Sequence, residues 1–353
     1  MEFKPEHYRN PQCGVYIDGS PLKIGSCYIE SVNVQVSAAL QSNSCDVTLV
    51  ADYDYKNGKI SDDLSNKVTA GKKAEVKLGY EKPDTVFLGY VNSVSTSFSS
   101  EGVIVEFSCL DARGLLMGNT QWQSYENEKM SMIIEGLLNP IRSFTEGIEV
   151  SVSVEADKEN PLAQNEMDDY QYLCNLARLT GSSFCMLKKK LYFGKNILRS
   201  GELRENYEWG KNLISFSRNV ELSGQIGSVT VHGSEPDTIR KFSSTVSPPG
   251  GSGRTASQLC SAVKGKARER FNKTVRDQNQ AKAYAESIMF DSAINFCTGS
   301  AQVLGNEKLL PGDRVKFDGL DSQINGEYIV TSLTHSFGGG GFLTTIGFAR
   351  TTT

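Results

Sequence analysis

The first third of the chain alternates apolar and polar residues with a period of two, the pattern of a strand with one buried face. Val32, Val34 and Val36 alternate with serine, asparagine and glutamine, and the alternation recurs at 74–80 and 103–109. Further strands are predicted at 14–18, 45–51 and 84–97. About six strands with one polar face predict a small antiparallel barrel or sandwich.

The pattern changes to that of helices after residue 115. Apolar residues at i, i+3, i+4, i+7 and i+8 between 130 and 138 predict an amphipathic helix. A second helix is predicted at 168–180, with Asp168 as its N-cap and Gly181 at its end. A hairpin is predicted around the three lysines 188–190. The middle of the chain is therefore a mixed α/β segment.

Strand patterns return from about residue 210. The predicted strands lie at 214–218, 228–232, 294–303, 313–318, 327–334 and 342–349. A loop rich in proline and glycine, followed by a basic helix, interrupts them. The residues alone thus indicate two β units of similar size around an α/β segment, although no short sequence repeat relates them.

Length and charge narrow the functional classes. The 353 residues suggest two or three domains. With 37 basic and 41 acidic residues, the net charge of -4 argues against a dedicated nucleic-acid coat, and direct nucleic-acid binding is not expected. No apolar run approaches the length of a membrane span, and the first residues lack the features of a signal peptide. We therefore expect synthesis in the cytoplasm.

The cysteines do not predict a metal site. They stand at positions 13, 27, 45, 109, 174, 185, 260 and 297, and no Cys-x-x-Cys occurs. A zinc site needs two ligands close together on a tight turn. We predict that all eight are reduced and structural.

Enzymatic motifs are missing as well. The three histidines, His7, His232 and His335, lie far apart and no His-Glu-x-x-His or Gly-x-Ser-x-Gly accompanies them. We predict each to be structural or exposed, with His335 partly buried. No catalytic residue, metal or cofactor is expected.

Two charged segments have a functional and a structural interpretation. Acidic residues at 52–63 resemble a calcium-binding loop, but Lys56 occupies a ligand position, so a solvated acidic turn is predicted. The basic segment 264–282 has the charge to meet nucleic acid or an acidic partner. A solvated helix face or mobile linker is the favoured interpretation, because Phe271 is its only aromatic residue.

A series of short motifs extends over residues 85–350 in a specific order. They are Phe87–Val91, Val105–Asp111, the helix from Tyr172 to Gly181, Leu191–Phe193, Val229–Gly233, Leu310–Val315, Gly326–Val330 and His335. In order and spacing the chain resembles the late control gene D family, the central baseplate hubs of contractile phage tails. This family is related to the hub part of type VI secretion spikes. The signature positions are Gly89, Asp111, Leu173, Gly181, Gly233, Gly312, Gly326, Tyr328 and His335.

The resemblance implies a β-rich α+β fold, with two tube-like antiparallel β-barrel domains flanking a small α/β insert. The expected units are 1–115 as the first barrel, 116–208 as the insert, 209–245 with 283–353 as a discontinuous second barrel, and 246–282 as a flexible loop and basic helical insertion. Three subunits would present six barrels and so match a sixfold tail tube above to a threefold spike below.

The partners implied are two further copies of the chain, the tail tube protein, the spike protein, and other baseplate and tape-measure proteins. Because the chain ends at Thr353, directly after the second β region, we expect the spike on a separate chain. The expected location is the baseplate of a phage, a bacteriocin or a similar particle. Two alternatives stay open: a tail-associated cell-wall hydrolase, and a carbohydrate-binding adhesin, which the presence of only two tryptophans disfavours.

Overall fold

The computed structural model describes residues 10–22, 27–60, 64–100, 102–126, 128–144, 147–154, 162–234, 241–251, 253–272, 275 and 277–353. Its strands are β1 (Gln12–Ile17), β2 (Ser20–Pro21), β3 (Cys27–Ser37), β4 (Ser44–Ala51), β5 (Tyr53–Asp54), β6 (Lys59–Ile60), β7 (Lys73–Gly79), β8 (Asp84–Ser99), β9 (Gly102–Asp111), β10 (Gln121–Tyr125), β11 (Glu149–Val152), β12 (Leu162–Met167), β13 (Ser182–Leu187), β14 (Lys190–Lys195), β15 (Leu203–Glu208), β16 (Leu213–Val220), β17 (Ser228–Ser234), β18 (Lys241–Val246), β19 (Ala267–Phe271), β20 (Cys297–Leu304), β21 (Arg314–Asp318), β22 (Gly326–Gly338) and β23 (Gly341–Arg350). Its α-helices are α1 (Leu64–Lys67), α2 (Met130–Leu137), α3 (Asn139–Phe144), α4 (Asp169–Thr180), α5 (Ala256–Leu259), α6 (Ser261–Lys264) and α7 (Gln278–Ile294), and 3-10 helices cover Ala112–Leu116 and Ile197–Arg199.

Thirteen strands form one large sheet that passes through both β regions. Along it the strands lie in the order β16, β20, β23, β22, β3, β4, β9, β8, β7, β1 and β2, while β21 pairs with β22 and with β15. The two regions meet where β22 pairs with β3. The large sheet is therefore shared by the N-terminal and C-terminal parts of the chain.

The prediction of two separate closed barrels is not confirmed. The described strands form no closed barrel, and one continuous sheet of thirteen strands passes through both predicted barrel units. The reason is the length of β22, which has 13 residues. Its first residues pair with β21 and its last with β3, so the free edge that a barrel would need for closure is already occupied.

The large sheet nevertheless repeats one topology. The first section consists of β3, β4, β9, β8 and β7, and the second of β16, β20, β23, β22 and β21, each in this spatial order. In both sections the first two strands in the chain are neighbours, and the last two form a hairpin whose returning strand lies inward. The two sections are therefore structural repeats, as the two β units of similar size suggested.

The hairpins of the two sections also match in their irregularities. The register shifts directly after Val91 in β8 and directly after Val330 in β22. The last pair of each hairpin joins residues 99 and 102 in the first section and 338 and 341 in the second. These shared features give a residue-by-residue equivalence between β8–β9 and β22–β23.

Each section packs its apolar face into its own core. In the first, alternate residues such as Val34, Cys45 and Phe107 are buried. In the second, the core is more aromatic and includes Phe317 and Phe348. These faces contain the alternating apolar residues that the sequence identified, and burying them provides most of the driving force for folding.

The α/β segment agrees with the predicted helices and hairpin. The predicted helix at 130–138 corresponds to α2, and the one at 168–180 to α4. Asp168 caps α4 by accepting a hydrogen bond from the Gln171 N–H at 2.7 Å. Strands β13 and β14 form the predicted hairpin, and β11 adds to it in parallel. These confirmed elements have a core of their own.

The segment between β16 and β20 contains a small sheet that the sequence did not predict. Strands β18, β17 and β19 form it, and α7 packs against it. The predicted strand at 228–232 lies in this sheet rather than in the second β unit, because β17 pairs only with β18 and β19 among the described strands. Part of the basic segment, predicted as helix or linker, is strand β19. Its side chains are mostly exposed, so no apolar alternation marked it.

No helix of the described residues has the length and apolar character needed to cross a membrane.

Candidate functional site

A buried ion pair lies where the large sheet meets the α/β segment. Asp111 ends β9 and Arg113 follows in a 3-10 helix, and their side chains are 1% and 0% exposed. Arg113 Nη2 donates to Asp111 Oδ2 at 2.8 Å. Burial lowers the pKa of Arg113, but the charge and hydrogen bonds of Asp111 outweigh this effect and raise the pKa overall. The guanidinium stays charged, and the pair holds structure instead of exchanging protons.

Hydrogen bonds extend this pair to β13 and to Asn43, the residue before β4. Arg113 Nη1 donates to the Phe184 carbonyl of β13 at 2.8 Å, and Nη2 donates to Asn43 Oδ1 at 3.3 Å. Asn43 Nδ2 donates to the Met186 carbonyl at 2.7 Å, and the Asn43 N–H donates to Asp111 Oδ2 at 2.7 Å. The network fixes the sheet of the α/β segment to the large sheet.

Gly89 allows β8 and β9 to approach closely beside the ion pair. It lies directly opposite Asp111 in the sheet. A Cβ atom at position 89 would lie 2.0 Å from the carbonyl oxygen of Leu110. This distance is far below any van der Waals contact, so glycine is required here.

Leu173 and Gly181 belong to α4. Leu173 is fully buried in the core of the α/β segment. Gly181 ends the helix in a left-handed conformation with φ of 66°, and its N–H donates to the Ala177 carbonyl. A Cβ atom at position 181 would lie 2.5 Å from Ser287 Cβ of α7. This glycine therefore also lets α4 and α7 pack together.

Gly312 has a counterpart in the first section. Its N–H donates to the Val330 carbonyl at 2.8 Å, and in the first section the Gly71 N–H donates to the Val91 carbonyl at the same distance. The two acceptors are the residues at which the hairpin registers shift. Both sections thus hold the register shift with the same backbone contact.

Tyr328 and His335 are interior residues of β22. Tyr328 is 1% exposed, and its hydroxyl donates to the Ile324 carbonyl at 2.6 Å. His335 is 2% exposed, and its Nδ1 lies 3.0 Å from Thr344 Oγ1. Burial, together with the charge of Lys188, lowers the pKa of His335 to about 4. His335 is therefore neutral at pH 7 and more deeply buried than predicted.

The nine signature positions do not form a common site. Gly89 and Asp111 are direct partners, and Gly326 begins β22, the strand of Tyr328 and His335. Gly233 lies in the small sheet. The positions are spread over separate elements of the interior, and their functional role stays a prediction.

Histidine and cysteine side chains form no metal-binding cluster in the part of the chain that the structure describes. His232 Nε2 lies 3.7 Å from an oxygen of Glu269, and both side chains are exposed. His7 lies outside the described residues. All eight cysteines carry free thiols, and burial raises the pKa of Cys109, opposite Cys45 in the sheet, to about 12. Such a thiol is unreactive at neutral pH.

The acidic turn uses its carboxylate internally. Asp54 accepts hydrogen bonds from the side chain of Asn57 at 2.6 Å and from the backbone N–H of Lys56 at 3.0 Å. The hydrogen bonds to Asn57 are the main cause of its lowered pKa. The turn lies between β5 and β6, while Asp62 and Asp63 of the predicted turn lie outside the described residues.

The face of the large sheet opposite the core carries mainly short polar side chains, and no sequence motif marks it. Cross-strand partners connect them from one section to the other. This polar face consists of Asn33, Gln35, Ser44, Asp46, Thr48, Ser93, Ser95, Ser97, Glu106, Ser108, Ser215, Ser217, Thr298, Ser300, Gln302, Thr334, Ser336 and Thr345. All of these residues are partly or fully exposed, and only Asp46 and Glu106 carry charge.

One row shows the continuity of the polar face. Cross-strand pairs connect Ser215, Gln302, Thr345, Thr334, Gln35 and Ser44 in sequence. Hydroxyl and amide groups keep such a surface hydrated, and they do not attract a charged polymer such as nucleic acid strongly. The sequence signal for this face is serine at every second position from 93 to 99. Such alternation shows only that one side of the strand faces solvent.

The strand β8 has an edge without a partner strand in the described part of the chain. β7 pairs with β8 only as far as Tyr90, and the side chains of 92–98 are exposed. Two of them, Val94 and Phe98, lie on the core side of the sheet and are 37% and 62% exposed. Apolar side chains at an open strand edge mark an interaction surface.

The strand β16 forms the other open edge. It pairs with β20, and on its far side the described residues supply only an isolated bridge from Trp209 to Leu213. Val220 lies on the core side and is 40% exposed. The two open edges therefore terminate the first and the second section.

Known structures share this fold over nearly the whole chain. The 43 kDa tail protein of prophage MuSo2 from Shewanella oneidensis has a TM-score of 0.69 at 14% identity, covering 97% of this chain and 98% of that one. A tail protein from Neisseria meningitidis has a TM-score of 0.69 at 12% identity, with 97% of each chain covered. The E. coli c3393 protein, a component of the type VI secretion system, has a TM-score of 0.60 at 13% identity and covers 95% of this chain and 76% of its own.

No curated protein matches the sequence. A family model does: that of the Alg8 N-terminal domain matches residues 10–338. This range contains both sections of the large sheet up to the end of β22, together with the α/β segment. The chain therefore belongs to the family of the Alg8 N-terminal domain.

Proposed function

We propose that this protein is a structural hub in the baseplate of a contractile tail or contractile injection particle. In this role it forms a homotrimer that connects a sixfold tail tube to a threefold spike. It contacts the tube protein, the spike protein and other baseplate and tape-measure proteins. The signature residues and the boundaries of the first two units, 1–115 and 116–208, that the late control gene D resemblance implies are part of this proposal.

The repeated section of the large sheet is the observation that carries the proposal. One chain holds two sections with the same strand order, joined side by side through β22 and β3. Three such chains in a ring present six sections. A threefold assembly then offers a sixfold arrangement of similar surfaces, as an adaptor between the two symmetries requires.

The polar face forms the channel wall of this ring. It extends over eight strands and carries mainly hydroxyl and amide groups, with a few apolar residues such as Leu110 and Leu343. The apolar face lies on the other side, where the two section cores form. A ring with the polar face inward keeps both cores covered and leaves a hydrated surface around the axis.

The shared fold is the reason for placing such a ring in a tail particle. The similar structures include two tail proteins and a component of a type VI secretion system. Their low identity limits this support to the fold. The genes next to this one identify the particle as a phage, a bacteriocin or another injection system.

Deletion of the gene from a particle-producing strain tests the proposal. We expect particles without tube and spike, because a hub nucleates both, and we expect complementation to restore them. Electron microscopy of negatively stained particles is the measurement. Normal particles from the deletion strain would contradict the role, and release of peptidoglycan fragments by the purified protein would favour the hydrolase instead.

A further inference from the structure

We propose that β8 of one copy pairs with β16 of the next copy, and that this contact repeats the β22–β3 junction that every chain makes internally. The inference rests on the trimeric ring of the proposed function and specifies its interface. It assigns a role to the two open edges of the large sheet. A second copy of the same chain is the partner.

The equivalence of the two sections identifies these strands. β22 is the counterpart of β8, because both follow the same register shift and lead into the same hairpin. β3 is the counterpart of β16, because both are the first strand of their section and both shift register, after Ile29 and after Leu213. The internal junction therefore joins the same two kinds of strand as the proposed contact.

Exposure separates the covered junction from the open one. Leu333 of β22 is 1% exposed and Val36 of β3 is 5% exposed, and they face each other across the junction. Their counterparts Val94 and Val220 are 37% and 40% exposed. Equivalent positions are thus buried at the internal junction, where a partner strand is present, and exposed at the two edges, where none is described.

Strand direction is compatible with this contact. Every step from β16 through β20, β23, β22, β3, β4 and β9 to β8 is antiparallel. Since this makes an even number of strands, β8 runs opposite to β16. A copy rotated about an axis along the strands places its β16 antiparallel to β8, and the alternation continues around the ring.

The register of the internal junction predicts the register between copies. Inside the chain, Leu333 faces Val36 and Phe337 faces Val32. Transferred to the equivalent positions, the pairs between copies are Val94 with Val220, Ser95 with Asn219, Thr96 with Arg218, Ser97 with Ser217 and Phe98 with Phe216. The pairs Val94 with Val220, Thr96 with Arg218 and Phe98 with Phe216 lie on the core side. The other two pairs lie on the polar face, so both faces continue across the contact.

The contact also pairs backbone groups that are otherwise open. An unpaired strand edge presents N–H and C=O groups that favour pairing with another strand. Phe98 and Phe216 then meet as an aromatic cross-strand pair at the core side, which adds to the stability of such a junction. A head-to-tail contact of this kind closes into a ring when the rotation fits.

Cysteine cross-linking tests both the contact and its register. We expect the double variant Ser97→Cys/Ser217→Cys to form disulfide-linked dimers and trimers on oxidation, seen by non-reducing electrophoresis of the purified protein and of particles. The variant is made in a Cys13→Ser/Cys260→Ser background, because these two cysteines are the partly exposed ones. Each single cysteine variant should give mainly the band of the uncross-linked chain on the same gels.

Two matched pairs control the geometry. Asn33→Cys/Ser336→Cys places the same pair at the internal junction, where these residues face each other, and should give an intrachain disulfide in every copy. Ser93→Cys/Ser217→Cys is out of the predicted register and should cross-link much less. Efficient intrachain oxidation without any linkage between copies would overturn the inference, as would stronger linkage of the out-of-register pair or of a single variant.

A charge at the open edge provides an independent measurement. Val94→Lys places an ammonium group at the proposed contact, and we expect loss of the trimer in light scattering with unchanged circular dichroism. Met132→Lys is the control, since Met132 is an exposed apolar residue of α2, away from both edges. A Val94→Lys protein that stays trimeric overturns the edge contact alone, whereas a wild-type trimer absent from particles overturns the proposed function.

Discussion

At the scale of single residues, Asp111 and Arg113 are the most deeply buried ion pair in the described part of the chain. Removing one partner leaves the other charge buried without compensation. We expect Asp111→Ala to lower the free energy of unfolding by about 3–5 kcal/mol, measured by urea denaturation.

The exposed pair of Glu149 and Lys190 is the matched control. Its members are 69% and 44% exposed and lie 2.9 Å apart. Because solvent screens such a pair, Glu149→Ala should change the free energy of unfolding by less than about 1 kcal/mol. Similar losses for both variants would show that the buried network does not hold the large sheet and the α/β segment together.

His335 makes the stability of the protein depend on pH. Its pKa is about 4 in the folded chain against an ordinary value of 6.5, so the unfolded chain binds more protons between these values. The stabilisation is complete above pH 6.5 and is lost as the pH falls towards 4, by up to about 3 kcal/mol. We expect His335→Gln to flatten the free energy of unfolding over this range.

His232 serves as the control for this pH dependence. Its side chain is 43% exposed, and it lies in the small sheet, far in sequence from β22. His232→Gln should leave the slope between pH 4 and 6.5 unchanged. An equal loss of slope in both variants would contradict the assignment to His335.

At the scale of elements, Gly89 controls how closely β8 and β9 pair. A methyl group at this position meets the carbonyl oxygen of Leu110. We expect Gly89→Ala to destabilise the protein by about 1–3 kcal/mol, the usual cost of overpacking. Gly136→Ala in α2 has open space around it and should be neutral or stabilising. Thermal unfolding of the two variants compares them directly, and a stable Gly89→Ala protein would refute the close approach.

Most elements with a buried face followed from the sequence. The alternation around Val32–Val36 predicted β3, and the spacing at 130–138 predicted α2, since burial imposes a period on the side chains. Strand β19 was not predicted, because its side chains are mostly exposed and only its backbone pairing with β17 defines it. The pairing of β22 with β3 was not predicted either, because a period of two does not show which strands are neighbours.

The candidate surfaces were less predictable than the elements. Asp111 was singled out by the family resemblance, but Arg113 and Asn43, which complete its network, carry no pattern in the sequence. The polar face required the cross-strand register, because its residues come from eight strands. The open edges became visible only when the partners of β8 and β16 were known.

At the scale of the whole molecule, the repeated section links fold and assembly. The two sections share a topology but differ at their edges. β22 and β3 pair with each other inside the chain, whereas the edges of β8 and β16 are open. Duplication within one chain lets the two copies of a section evolve different upper and lower surfaces. Such divergence is what a hub between a sixfold and a threefold partner needs.

The orientation of the polar face in the proposed ring gives the last prediction. If this face lines the channel, a cysteine on it should be shielded from bulky reagents once the ring forms. We expect Asn33→Cys in the trimer to react normally with a small maleimide but slowly with a polyethylene glycol maleimide. Met132→Cys on α2 should react readily with both reagents, since its side chain is exposed outside the sheet.

Mass spectrometry of timed samples gives the two rates, and dissociating the trimer through Val94→Lys should restore rapid labelling of position 33. Equal rates with both reagents in the intact trimer would place the polar face on the outside of the ring.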